Sequence, residues 1–552
     1  MSYASAIVQR LMIALGAGLC AGAPSAMAQN ASAASGQAGM VAPAAQPAAQ
    51  NDANPNQAAQ RFDIFEYVVD GNTVLDTPAI EEAVYPFLGE QRNATDVDMA
   101  REALEKTYQM RGFQTVQVLI PEQGVESTVI HLQVVENPVG RLRVVGSKFH
   151  SLTGIRETAP SLAEGTVTNS TAVQNDIVAL NRQPDLKVTP RLKAGQAPGT
   201  VDVDLEVEDK LPVHGNIEIN NQYNQKTEPL RVAGTVSYDN LWQEGHSLSL
   251  SYQVAPQKTS DAQVYSANYL WPVEGTPLSV LAYGVKSDSD VAALAGTDVV
   301  GRGTIFGLRG IVNLPASENF YHSFTVGIDR KNLTQNVITS GTPANSTVLY
   351  YPASLAYSAT WQDGDLITKA GGSLNFALPA GSDSEKLDTQ RFGALRQYVY
   401  AKFDVSRQQP MGNGYSIFGR IQAQMTNDPL LSSEQLSAGG ANSVRGYLEA
   451  ERLGDYGTMG TIEFRTPSFG KAVSSAVTDL HFLTFVDGGA LWIHQPLPSE
   501  KRSFSLASAG IGARFSAFDS LNGAADVAVA MVDGAVTRMS ETRVHFRLWS
   551  GF

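Results

Sequence analysis

One cysteine in 552 residues, Cys20, leaves little room for thiol chemistry. It lies in a segment expected to be removed, so the mature chain would carry no internal disulfide and no Cys-based metal or redox site. Positive charge is also short: 40 Lys and Arg face 54 Asp and Glu, a formal net charge of −14. Without a basic stripe to neutralise phosphates, no nucleic-acid partner is expected. Past the leader, no stretch approaches the ~18 consecutive apolar residues of a transmembrane helix, so a membrane role would fall to strands. Charged residues are only 17 % of the chain while glycine reaches 49, a balance suited to many strands and turns. Enzymatic signatures are missing too. No Walker A loop occurs, Gly301-x-Gly303 runs into a strand rather than a helix, G-x-S-x-G and H-E-x-x-H are absent, and the eight histidines are scattered. The chain is therefore expected to use no cofactor and no metal, and not to be an enzyme.

Residues 1–28 read as a secretory signal, with Arg10 as the positive region, an apolar run over 11–19, and Ala26-Met27-Ala28 as the cleavage site. Leu19 before Cys20 fits lipid attachment poorly. Residues 29–60 are rich in Ala, Gln, Asn and Ser, with Pro43, Pro47 and Pro55, and read as a flexible tail or linker.

Two similar units follow, over 61–137 and 138–210, offset by about 75 residues. The first has a strand at 65–69, a turn at Asp70-Gly71-Asn72, and helical patterns at 78–87 and 96–110. The second of these helices shows Ala100, Leu104 and Tyr108 and an Arg111-Gly112 stop. Alternating runs at 115–120 and 128–135 close the unit. The second unit repeats the order: a strand at 141–145, Gly146-Ser147-Lys148, helices near 152–162 and 170–181, and strands at 186–192 and 200–208. Gly71 aligns with Gly146 and Ile80 with Ile155. This β-α-α-β-β order resembles POTRA (polypeptide-transport-associated) domains. A small sheet with an unpaired edge beside a helix can add an extended guest strand through backbone hydrogen bonds, which captures unfolded chains without demanding one sequence.

From about residue 211 the pattern turns to period two. Over 247–254, Leu248, Leu250, Tyr252 and Val254 oppose Ser247, Ser249, Ser251 and Gln253; the runs at 230–239, 399–406 and 461–465 alternate likewise. About sixteen such segments occupy the last ~340 residues, within the range of outer-membrane barrels. A soluble sandwich alternates in the same way. Two features favour a barrel: Lys402, Asp404, Arg420, Glu463 and Arg465 fall on the inward face, as in a polar lumen, and the chain closes on a strand with Val544, Phe546, Leu548 and Phe552 on one face. Phe546, Leu548 and the terminal Phe552 resemble the signal by which the barrel-assembly machinery recognises its clients.

Val444-Arg445-Gly446-Tyr447 lies in a Gly-, Ser- and Asp-rich gap over 426–457. Loops this long are usually functional or disordered. Taken alone, the motif reads as a solvated turn. Strand periodicity over 480–490 places Phe485, Asp487 and Gly489 on one face, opposite Phe482, Val486 and Ala490. If the apolar face meets lipid, Asp487 points into the lumen and wants a cation, and Gly489 leaves room for close packing. Arg445, a five-donor fork, is the candidate partner. His481 and His545 also face the lumen and read as wall polarity.

V-R-G-Y in a long loop followed by F-x-D-x-G on a strand resembles the superfamily of POTRA-bearing outer-membrane assembly and secretion proteins. With two POTRA units, residues 62–552 are similar to two-partner secretion transporters of the haemolysin activation and secretion type. The resemblance implies a mixed fold, with two periplasmic α+β POTRA domains followed over 211–552 by an outer-membrane barrel of about 16 antiparallel strands with an in-folded loop. It implies that Arg445 sits at the tip of that loop with Asp487 as its partner on the wall, Phe485 and Gly489 shaping the contact. It also implies export, without nucleotide, of a large β-rich partner protein that crosses unfolded and folds outside. It further implies that outer-membrane lipid would surround the barrel. An assembly and insertion factor is the alternative, although such proteins usually carry more POTRA units; a passive porin needs neither POTRA units nor the Arg445 loop. Family members commonly carry a pore-plugging helix before the first POTRA unit, which the three prolines of 29–60 match poorly.

Overall fold

The computed structural model describes residues 61–552, apart from 125–127, 182–184, 290, 295–296, 301, 340–341, 380–383 and 499. The expected signal and linker, residues 1–60, and Gly301 lie outside the described residues. The chain divides into two compact units at Pro212/Val213.

The first unit holds two copies of one small motif. In one, Val129–Val135 runs parallel to Glu66–Asp70 and antiparallel to Gln117–Leu119. Its inward residues Ile130, Leu132 and Val134 meet Leu104 and Tyr108 of the helix Ala94–Met110. That helix starts at Asn93, whose side chain accepts from the N–H groups of Thr95 and Asp96 while Asp96 caps back, satisfying orphan donors of the first turn. In the other copy, Val201–Asp209 runs parallel to Val139–Val145 and antiparallel to Leu186–Ala194. Helices Leu152–Glu157 and Ser170–Leu180 cover it through Ile155 and Leu180.

Three details differ from the sequence expectation. The helix expected over 78–87 ends at Val84 and continues as a 3-10 turn, Tyr85–Phe87; the helix near 152–162 breaks likewise into Leu152–Glu157 and Pro160–Leu162. Pro86 and Pro160 explain both, since proline lacks the N–H that the next turn requires. A short antiparallel pair, Phe62–Ile64 with Gly89–Arg92, was not expected, because Gly-Glu-Gln-Arg shows no apolar alternation. Beyond residue 211, a short helix, Ser384–Gln390, interrupts the strands.

The repeat extends to a detail that its pattern does not advertise. Gly71 and Gly146 have φ of 85° and 97°, and a side chain at either would press its Cβ to 2.5 Å from the carbonyl oxygen of Val134 or Val207. Only glycine fits. A carboxylate at the end of the central strand then clasps each turn. Glu136 accepts from Thr73 N and Oγ1 at 2.6 and 2.5 Å. Asp209 accepts from the N–H groups of Lys148, Phe149 and His150 at 2.9, 2.6 and 3.1 Å. Burial alone would raise the Asp209 pKa, but the N–H bonds from Phe149 and Lys148 outweigh it and hold the carboxyl below its usual range. Because the folded value is the lower one, this stabilisation is full above the ordinary carboxylate pKa of about 4 and fades as pH falls through the folded value. Asp209→Ala should destabilise this copy by about 2 kcal/mol at neutral pH. Urea unfolding of variant and parent checks this, and the gap should close in acid.

The two copies meet end to end. Asn169, which caps Ser170–Leu180, donates Nδ2–H to the Arg111 carbonyl at 2.8 Å, and the Ser170 N–H donates to the Gly112 carbonyl at 2.8 Å. Orphan carbonyls at one helix C-terminus thus meet orphan donors at the next N-terminus.

The second unit is a closed antiparallel barrel of sixteen strands. In order these are Val213–Asn220, Arg231–Leu241, His246–Val254, Gln263–Pro272, Leu278–Ser287, Arg302–Asn313, Phe320–Thr339, Thr342–Asp363, Leu366–Leu378, Val399–Gly412, Tyr415–Thr426, Tyr456–Arg465, Val477–Trp492, Ser503–Ala517, Leu521–Ala530 and Thr542–Gly551. The last pairs with the first from Arg547↔Asn220 to Gly551↔Asn216. Closure removes the sheet edge that lipid could not satisfy. Phe482, Val486, Ile511 and Phe546 stand exposed on the outer wall, while Asp329, Glu463, Asp487 and Asp526 are buried within. The connections after even-numbered strands are mostly short turns and most of those after odd-numbered strands are longer loops, which orients the turns to the periplasm and the loops outward. Among the described residues no helix is long and apolar enough to cross a membrane.

Candidate functional site

The loop over 427–455 connects the eleventh and twelfth strands, and its own hairpin, Leu436–Ala438 with Arg452–Gly454, forms a stem. At the tip, Gly440 has φ 109°, and a Cβ there would sit 2.0 Å from a Glu449 carboxylate oxygen. Gly446 has φ 90° and would place a Cβ 3.2 Å from that of Ala528 on the wall. These glycines allow the chain to turn sharply against its neighbours.

Val444, Tyr447, Ala438, Met459, Leu491, Leu506 and Ala530 form one buried apolar cluster. A Cβ on Gly489 would approach the Met459 Cγ to 3.1 Å and the Val444 Cγ2 to 3.5 Å, so the bare backbone there admits Val444. The Tyr447 hydroxyl reaches the carbonyls of Ala507 and Val532 at 2.8 and 2.7 Å.

Arg445 is 4 % exposed and Asp487 is fully buried. The guanidinium grips Asp487 with two parallel bonds, Nε to Oδ2 and Nη2 to Oδ1, both 2.8 Å. Its backbone N–H adds a third, at 3.0 Å. Nη1 donates to Glu463 at 2.8 Å and Nη2 to Thr461 at 3.0 Å. The guanidinium carbon lies 3.4 Å from the centre of the Phe485 ring, so the planar cation is stacked as well as paired. Asp526 stands 3.8 Å away and is itself held by Arg514 at 2.8 and 2.9 Å, while Arg465 holds Glu463 at 2.6 Å. Three carboxylates thus face three guanidinium groups, which leaves the buried cluster without net charge.

All seven loop and wall residues singled out from sequence meet here. Thr461, expected only to share the face of Glu463 and Arg465, joins them, as do Asp526 and Arg514, of which Asp526 follows the same lumen-facing alternation as Asp487. His545 was read as wall polarity. It instead accepts the Gly446 N–H on Nε2 at 2.9 Å and so holds the loop from a third side. His481 stays apart and pairs with Asp479 at 3.0 Å. Lys402, Asp404 and Arg420 line a lumen cavity of about 500 Å³ that Asn442 and Ser443 also border. Phe546, Leu548 and Phe552 lie on the outer face of the seam, where the Phe552 N–H donates to the Gly215 carbonyl at 3.0 Å. Among the described residues no group of His, Cys, Asp and Glu is arranged to hold a metal ion.

Residues 62–137 match the ShlB-type POTRA domain, and 199–515 match the haemolysin secretion/activation protein family ShlB/FhaC/HecB. The chain is similar to the outer membrane transporter CdiB of Dickeya dadantii (strain 3937), 21 % identical over 444 residues that cover 77 % of this chain and 75 % of the relative. Among solved structures, CdiB from Escherichia coli superposes with a TM-score of 0.61 at 19 % identity, covering 90 % of this chain and 92 % of that one. BamA from Haemophilus ducreyi lacking POTRA domains 1-3 superposes at 0.56 and 14 % identity, covering 89 % and 100 %; both likenesses speak to the fold. The chain belongs to the ShlB/FhaC/HecB family of haemolysin secretion and activation proteins, as an outer-membrane transporter of the two-partner secretion type with its POTRA domains in the periplasm.

Proposed function

We propose that this transporter captures an unfolded, β-rich partner protein in the periplasm and threads it through the barrel without nucleotide, the partner's folding outside giving the direction. The observation that carries this reading is a polar bore crossed by a loop whose Arg445 is locked to Asp487: passage of a chain requires the loop to shift, and a pore for small solutes has no use for such a lock. No catalytic step is part of the proposal. The C-terminal Phe546, Leu548 and Phe552 are proposed as the features read by the barrel-assembly machinery, and the apolar outer wall as the surface that meets outer-membrane lipid.

Capture needs a free sheet edge. Leu186–Ala194 is a defended one, since Pro190 lacks a donor and Lys187, Arg191 and Lys193 add charge. Gln117–Leu119 is open, pairs on one side only, and ends in the exposed apolar pair Leu119 and Ile120. An extended guest strand beside it would gain backbone hydrogen bonds and an apolar contact. Leu119→Pro should leave the barrel inserted and strand the partner in the periplasm. Unchanged partner in the medium would remove this edge from the mechanism.

A further inference from the structure

Arg445 is only one end of a longer attachment. Eleven residues earlier in the same loop, Glu434 is 2 % exposed and accepts Lys331 Nζ at 2.6 Å and the hydroxyls of Tyr350 and Tyr400 at 2.7 Å each. Ser433 beside it reaches the Tyr350 hydroxyl at 2.7 Å. On its backbone side, Gln424 Nε2 donates to the carbonyls of Glu434 and Asp455 at 3.0 and 2.9 Å, tying two points of the loop to one strand.

The strands that hold these groups matter more than the contacts alone. Lys331 and Tyr350 stand on the seventh and eighth strands, and Tyr400 on the tenth. Towards Arg445 and Gly446 the holding groups are Glu463 on the twelfth strand, Asp487 on the thirteenth, Asp526 on the fifteenth and His545 on the sixteenth. In a closed ring of sixteen, Lys331 and Tyr350 thus stand half the circumference from Asp526 and His545, and Asp487 stands between them on the ring. The segment from Glu434 to Gly446 therefore crosses the bore from wall to wall. Beside the Glu434 end, Leu431 joins Leu387 of the helix Ser384–Gln390 in an apolar cluster with wall residues Leu333 and Val348, so a second loop leans on the same anchor.

We infer that Glu434 is a second latch, equal in kind to Arg445 and placed on a separate stretch of the wall, and that the loop between them is a crossbar whose release at either end opens part of the pore and at both ends opens it fully. Freeing Arg445 alone leaves the bar hinged at Glu434, with Leu431 and Leu387 still seated. Freeing Glu434 alone leaves it hinged at Arg445 and His545. An unpaired Glu434 would be a buried carboxylate without its cation, and an unpaired Lys331 the reverse, so each end either holds as a unit or lets go as one. Glu434 acts here as a positioning residue for the loop. The inference builds on the export reading, but its primary readout needs no exported protein.

Single-channel conductance of the purified full-length protein in planar lipid bilayers reads the bar directly. Glu434→Ala should raise the open conductance several-fold over the parent, and Glu434→Ala with Arg445→Ala should exceed either single change. Heat-modifiable mobility on gels shows whether each barrel has folded. Tyr350→Phe with Tyr400→Phe removes two donors at nearly constant volume; it should also raise conductance, and it carries the test if Glu434→Ala does not fold. Parental conductance in the folded Glu434 variant, or in the tyrosine pair where that variant fails to fold, would overturn the second latch. So would a double variant that conducts no better than Arg445→Ala. Loss of export with parental conductance would leave the export reading standing and refute this one.

Discussion

Arg445→Ala is expected to abolish most export of the partner protein while the barrel remains in the outer membrane. Removing the guanidinium strips buried Asp487 of its charged partner, leaving it the Thr461 hydroxyl and one backbone N–H, and leaves Glu463 to Arg465 alone; breaking a buried pair in this way costs about 3–5 kcal/mol. The stack on Phe485 is lost with it. The penalty falls on the loop and not on the wall, since the sixteen-strand ladder is made by backbone bonds that Arg445 does not enter. Arg445→Lys should not rescue. A lysine is a point charge and cannot serve Asp487 through two parallel bonds while also reaching Glu463 and lying flat on Phe485. The measurement is partner in the medium against barrel in the outer membrane, with heat-modifiability as the control for folding. Parental secretion from the alanine variant would show that the lock has no part in export.

Deleting Phe552 should produce the opposite split, with little protein reaching the outer membrane at all. In the folded barrel Phe552 exchanges two backbone bonds with Gly215, N–H to carbonyl at 3.0 Å and carbonyl from N–H at 3.2 Å. Its ring lies over the bare Gly215, where a Cβ would come within 2.3 Å. The seam that these contacts extend is short: its paired run covers 547–551 on the last strand, against 521–529 with 542–550 on the neighbouring pair. Each backbone group left unpaired in the hydrocarbon costs several kcal/mol. The same residue is the proposed recognition end, so folding and delivery should fail together. Quantifying the variant in outer-membrane fractions, in cells lacking the main periplasmic proteases, checks this. Parental levels would remove Phe552 from both roles.

Much of the architecture was legible because it is local. Alternation such as Leu248, Leu250, Tyr252 against Ser247, Ser249, Ser251 exists because a wall with lipid on one side and a polar lumen on the other sorts side chains with period two. The glycine turns at Gly71 and Gly146 marked the repeated unit, since both need a backbone that side chains resist. The helix ends at Pro86 and Pro160 could have been read from proline alone, and were missed because the apolar spacing continued past them.

By itself, then, the sequence settled the class of most segments, the face on which Asp487, Phe485 and Gly489 would lie, and Arg445 as their candidate partner. Propensity and periodicity act within a few residues, and that is as far as they reach. Tertiary structure decided what those residues touch. The Glu434 carboxylate finds its ammonium 103 residues away at Lys331, and Gly446 finds the His545 ring 99 residues on. Such pairs depend on how many strands close the ring and on the register in which the last meets the first, and closure is a property of the whole sheet that no local window contains.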